Sequence, residues 1–457
     1  MKHTTSKTNT SALTTGPIWK GILFFFVPIL IGAIFQQLYN TVDALVVGQF
    51  AGSEALASVG GSSGQIVNFI FTFFTGLSSG ASVILAQYFG AEDEKNVDIT
   101  LHTAYAFSIV GGIVLGTAGI LLSNPLLHLL KTPKALMGDS ATYVRILMAG
   151  LIFTLIYNMG TGILRAIGDS RRPLYILILA SLVNIVLDLL FVAVFSMGVL
   201  GAAIATVISQ AFSACAVSFI LTRKTPGMKL EFRRIRFHYG IMIRILRIGF
   251  PTAIASSMFT ISNMILQAAI NGFGVSAVAA WTAYGRIDVI WWLINQAFSI
   301  SITTFVGQNY GARKSDRIRK ACREVLLIEL ICSIIAGFLV VHTSPYLIRF
   351  FDSSPDVIRI GQIMAKSVAP YYWVFCFIEI LSSVLRAEND VLFSTLANLV
   401  GICAFRAIWL LVITRNGSLT AILYCYPISY FLTAAVVILY YMIRQPKIFR
   451  KMQSWTD

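Results

Sequence analysis

Residues 21–48 read GILFFFVPILIGAIFQQLYNTVDALVVG, and this stretch decides the fold. Its apolar run exceeds the ~20 residues that a helix needs to cross a hydrocarbon core about 30 Å thick. It is too long for the h-region of a signal peptide, and no small-residue cleavage site closes a short core, so it reads as a retained membrane helix. Yet it holds Asp43, with Asn40 one turn before it, where charge is most costly.

The rest of the chain follows this first segment. Hydrophobic residues make up 57% and charged residues 12%, half of the about 25% usual in a soluble domain. Apolar runs recur to the end and predict an all-α integral membrane protein. Twelve spans are expected, at about 20–48, 56–86, 99–122, 141–164, 173–196, 199–222, 244–272, 276–307, 321–342, 360–385, 391–413 and 418–443. The six cysteines form no C-x-x-C pair and the five histidines have no metal-ligand spacing, so no cofactor is expected. There is no H-E-x-x-H and no G-x-S-x-G, which argues against a membrane-embedded enzyme.

The net charge of +15 is a matter of orientation. Lys2, Lys7, Lys20, Arg165, Arg171, Arg172, the basic segment 222–249, ARKSDRIRKACR at 312–323 and the tail RQPKIFRK at 444–451 all fall on one face. The opposite loops hold only Lys131, Lys134, Arg349, Arg359 and Arg415. The positive-inside rule then puts both termini in the cytoplasm, and nucleic-acid binding is not needed to explain the charge.

The chain also repeats. PILIGAIFQQLYNTVDALVVGQFAGSEALA matches PTAIASSMFTISNMILQAAINGFGVSAVAA, so that Pro28 meets Pro251 and Asn40 meets Asn263. GILRAIGD likewise matches SVLRAEND, setting Arg165 against Arg386, Asp169 against Asp390 and Asn158 against Glu379. The expected organisation is a tail at 1–19, an N-lobe at 20–222, a basic linker at 223–243, a C-lobe at 244–443 and a second tail at 444–457. Two pseudo-symmetric six-helix bundles related this way enclose a central cavity and rock about it.

Five carboxylates lie within spans: Asp43, Asp188, Asp288, Glu329 and Glu379. Each costs roughly 2.5–3.5 kcal/mol at a helix centre and marks a functional site by default. Asp43, Asp188 and Thr206 fall at one depth, about 8–12 Å inside the outer boundary, with Asn184 one turn from Asp188. Such an oxygen set suits a hard cation or a shared proton. Lone polar residues bonded within the bundle are the plainer reading for Asn184 and Thr206. Asp288 is expected to pair with Arg286 or another helix. Glu329, near the basic 313–323 stretch, is expected in a structural ion pair, and Glu379 lines a cavity. Pro28 is either a static bend or a hinge. Trp281, Trp291, Trp292, Tyr371, Tyr372 and Trp373 fit an interfacial belt or an aromatic cavity for cations.

Five stretches, LYNTVDALVVGQFAG, ILRAIGDSRRP, NIVLD, MGVLGAAIATVISQ and LRAEND, together resemble the multidrug and toxic compound extrusion (MATE) family over essentially the full length. The resemblance implies a V-shaped pair of lobes that exports organic cations by antiport with H⁺ or Na⁺. It places the family's cation-coupling residues on Asp43, Asn184, Asp188 and Thr206, which would be metal ligands only if Na⁺ is the coupling ion. It puts the kinking proline on Pro28 and cavity-lining positions on Tyr143 and Asn158. The acidic C-lobe positions of the NorM type fall on Phe259 and Phe375, one turn from Glu379, so the chain looks closer to the DinF-like branch. A monomer in the plasma (inner) membrane of a bacterium is expected. The alternative is a flippase for lipid-linked oligosaccharides, which would need several Arg or Lys facing the cavity.

Overall fold

The computed structural model describes residues 13–223, 228–413 and 417–454. Lys2, Lys7, Lys224 and Arg415, used above for orientation, lie outside them. Eleven continuous helices are long and apolar enough to span a bilayer: α1 (Ile18–Ala51), α2 (Ser53–Gly90), α3 (Glu94–Leu129), α5 (Arg171–Val194), α6 (Gly198–Arg223), α7 (Tyr239–Asn271), α8 (Val275–Gly311), α9 (Ser315–Phe351), α10 (Pro355–Ala387), α11 (Val391–Val412) and α12 (Leu419–Gln453). The remaining span, α4, is broken into Lys134–Ala149 and Leu151–Ala166 with a bend of 50°. Many helices outrun the expected spans, because polar ends such as SDRIRKACRE continue the helix beyond the apolar core.

The turns show the repeat at the level of single backbone angles. Gly52 and Gly274, which end the first inter-helix connection of each repeat, share φ 91° with ψ 175° and 178°. That region is open essentially to glycine alone. The next turns, GAED and GARK, place Glu92 at φ 57° and Arg313 at φ 58°. The third pair, Gly168 and Asn389, is left-handed as well. Asp93 caps α3 by accepting from the Asn96 backbone N–H at 3.1 Å and from its side chain at 2.6 Å. These bonds hold the Asp93 carboxyl below its usual range.

Close packing explains the broken span. On α3, Gly112 and Gly116 meet α4, where a Cβ would lie 2.6 Å from Ile152 Cα and 2.5 Å from the Met148 carbonyl oxygen. Such small-xxx-small spacing lets membrane helices approach at the backbone. The α4 break at Gly150 has a counterpart in α10, which tightens into a 3₁₀ turn over Ala369–Tyr371. There Gly337 of α9 packs on the Ala369 carbonyl.

The chain divides into two compact units, with unit 1 holding 27–253 and unit 2 holding 13–26 and 254–457. The division therefore falls inside helices and not in the basic linker. It cuts α1 one residue before Pro28 and α7 two residues after Pro251. In unit 2, Phe26 stacks on Phe298 at 4.1 Å. The carbonyls of Leu13, Thr15 and Gly16 accept from Arg317, and that of Thr14 from Lys314. In unit 1, α2 meets the start of α7, with Gly76 against Ala253 and Gly80 against the Ile245 carbonyl.

Candidate functional site

Unit 1 gathers the coupling residues expected from the sequence. Asp43 lies one turn before α1 widens into a π-helix at Val47–Ala51, and Asp188 immediately before the π-helix Leu189–Val194 of α5. Such widened turns recur at functional sites because they re-aim the side chains beside them. The two carboxylates lie within direct interaction distance of each other. Asp188 and Asn184 are fully buried. Among the described residues no protein group bonds to Asp43 Oδ1, to either Asp188 oxygen, or to the Asn184 amide.

Thr206 belongs to this group through Tyr39, which lies within reach of Thr206, Asp43 and Asp188. Its hydroxyl donates to the Ala202 carbonyl at 3.0 Å, which leaves oxygen lone pairs free to accept. Tyr143 of α4 is buried beside the same two aspartates. Tyr39 went unnoticed in the sequence, although it stands four residues before Asp43 on the same helix face. Asn40 is exposed and takes no part. Asn158 lies apart from the pair and donates to the Thr154 carbonyl at 2.9 Å. A cavity of about 430 Å³ lined by Leu56, Ala57, Thr132, Pro133, Leu136 and Ser140 holds no ionisable side chain and is separate from this chemistry.

Among the described residues unit 2 contains no equivalent aspartate pair. The repeat that matches Pro28 with Pro251 sets Asp43 against Leu266, which is fully buried in an apolar core. One sequence expectation, the ion pair of Glu329, needs correction here. Asp288 is satisfied by its own helix and by another, the second of its two expected partners, and not by Arg286, which lies two residues away and points to a different side. Its Oδ1 accepts from the hydroxyls of Tyr284 and Tyr372, and its Oδ2 from Trp292 Nε1 at 2.8 Å. Glu329 forms no ion pair among the described residues and accepts from Asn295 Nδ2 at 2.8 Å, with Oε2 unpartnered. It faces α8, away from the basic end of α9.

Glu379 accepts from Ser299 Oγ at 2.5 Å, one turn along α8 from Asn295. Glu329 and Glu379 are electrostatic neighbours. Trp291 and Tyr372 stack in parallel at 4.1 Å in the buried core, so neither serves as an interfacial belt.

Comparison with known proteins bears on the family and the fold. The chain is 29% identical over 395 residues to the probable multidrug resistance protein YpnP of Bacillus subtilis (strain 168), covering 86% of this chain and 88% of that one. It is 26% identical over 392 residues to the probable multidrug resistance protein YoeA of the same organism, covering 84% of each. Its fold superposes on a crystal structure of MATE in the bent conformation with a TM-score of 0.91 at 22% identity, over 98% of this chain and 100% of that one. The MatE family model matches residues 28–190 and 251–412, one match in each repeat. With most of its length inside those two matches, the chain belongs to the MatE family, whose members are membrane transporters and not enzymes.

Proposed function

We propose that the protein is a secondary active exporter of lipophilic organic cations, driven by inward flow of H⁺ or Na⁺. The observation that carries this reading is the Asp43–Asp188 pair. Two acids meet inside a membrane bundle with three of their four oxygens, and the neighbouring Asn184 amide, bonded to no protein group among the described residues. Two negative charges side by side in a low-dielectric interior repel strongly. A proton shared between them relieves that repulsion, as does a Na⁺ held by Asp43, Asp188, Asn184 and Thr206. The coupling ion neutralises the pair and lets α1 bend near Pro28, which disfavours the bound drug. Its binding can shift the two states only by its difference in affinity between them.

The names of the relatives support drug export, and the basic loops support cytoplasmic termini in a plasma membrane. Nothing in the comparisons favours the flippase for lipid-linked sugars. The test is ethidium uptake into proteoliposomes under an imposed proton gradient and, separately, a sodium gradient. Uptake driven by one gradient and reduced at least about tenfold in Asp43→Asn and Asp188→Asn is expected. Equal transport by wild type and both variants would overturn the reading.

A further inference from the structure

Arg406 of α11 carries a permanent positive charge that meets no counter-ion among the described residues. It follows the π-helix Leu399–Ala404 and is fully buried. Its Nε donates to Ser429 Oγ at 3.3 Å. Its guanidinium carbon lies 4.1 Å from the Tyr426 ring centroid, 5.5 Å from that of Tyr430 and 5.8 Å from that of Phe259. Aromatic faces attract a cation but supply no acceptor. The Tyr430 hydroxyl stands beside the guanidinium, yet Nη1 and Nη2 meet no acceptor in bonding geometry. Asp288, whose oxygens accept from Tyr284, Tyr372 and Trp292, forms no ion pair with it among the described residues.

We propose that Arg406 is the anion-recognising group of a subsite in unit 2 that takes the carboxylate of an aromatic organic acid. The two vacant Nη groups form the fork that a carboxylate fills with two parallel bonds. Phe259 says what else the ligand carries. Its half-buried ring covers the guanidinium and rests edge-on against Trp292 at 5.5 Å. An aryl carboxylate that displaces this ring keeps the aromatic contact and adds the two oxygens that the fork lacks. Asp43 and Asp188 belong to the other unit.

Isothermal titration of the purified full chain in chloride-free detergent buffer tests this without reference to transport. The probes are 2-naphthoate and its neutral isostere 2-naphthamide. Saturable binding of the naphthoate is expected, with the amide at least about tenfold weaker. Arg406→Met should weaken naphthoate binding by at least about tenfold, and Arg406→Lys, which keeps the charge but loses the fork, by a smaller factor. Equal binding of the two probes, no saturable naphthoate binding, or the same affinity in wild type and Arg406→Lys would overturn the proposal. The lysine variant and the amide probe keep the test decisive if the methionine variant does not fold. Ethidium uptake measured in parallel separates failure here from failure of the antiport reading.

Discussion

Replacing Glu388 with glutamine should remove much of the pH dependence of stability. Glu388 follows α10, outside the membrane span, and is 3% exposed. Its Oε1 accepts from Gln445 Nε2 at 2.7 Å, while Oε2 is unpartnered. Burial, aided by the charge of Asp390 and opposed by the Gln445 bond, pushes its carboxyl from the usual 4.5 up to about 8. The unfolded chain releases this proton near the usual carboxyl value, whereas the folded chain keeps it until about 8.

The contribution is therefore fully present below the usual value, falls as pH rises through the window, and levels off above the folded value. The slope is about 1.4 kcal/mol per pH unit, so the step from about pH 6 to about pH 8 removes roughly 2–3 kcal/mol. For a unit of about 200 residues this corresponds to roughly 5–10 °C in Tm. Thermal unfolding in detergent, followed by intrinsic fluorescence, would compare wild type with Glu388→Gln at both values. The variant has no proton to lose and should show a drop smaller by that amount. An identical drop in the two proteins would refute the reasoning.

Gly52→Ala and Gly274→Ala force a Cβ into a backbone region that only glycine adopts freely, and each should cost about 1–3 kcal/mol in detergent melts. Gly116→Val drives a side chain into the Met148 carbonyl and should destabilise by about 3 kcal/mol, with little effect on any melt step assigned to unit 2. Arg317→Met removes the donor that holds Leu13, Thr15 and Gly16, so the backbone amides of 13–16 should exchange faster while the body of α9 remains protected. Pro28→Ala restores a helix bond and should slow ethidium transport without weakening ethidium binding, as a vesicle assay paired with equilibrium binding would show.

Hydropathy made the spans legible because a bilayer punishes every polar interruption, and it worked as well for α9 as for α1. It did not reveal the α4 break, on either side of which the backbone packs against Gly112 and Gly116 of α3. Asp43, Asp188 and Thr206 meet around Tyr39. Tyr39 was open to the same i, i+4 logic. Glu329 was misread because position along α9 says nothing about direction around it, and its side chain faces Asn295 rather than the basic stretch. Arg406 stood in plain view as an intramembrane arginine, but the unfilled state of its two Nη groups is a property of packing that no sequence pattern carries.

The placement of the unit boundary inside α1 and α7 has a consequence for how such a chain came to be. Residues 13–26 pack with unit 2, and the start of α7, up to Ala253, with unit 1. Each repeat lends the opening of its first helix to the other, which is a domain swap made permanent within one polypeptide. A chain cut within 223–243 would yield halves that each lack a piece of their own core: one loses Ala253 against Gly76, the other Phe26 against Phe298. Such halves are expected to be unstable apart and to recover when expressed together. A one-repeat ancestor could have reached this packing only as a dimer whose two copies exchanged those segments.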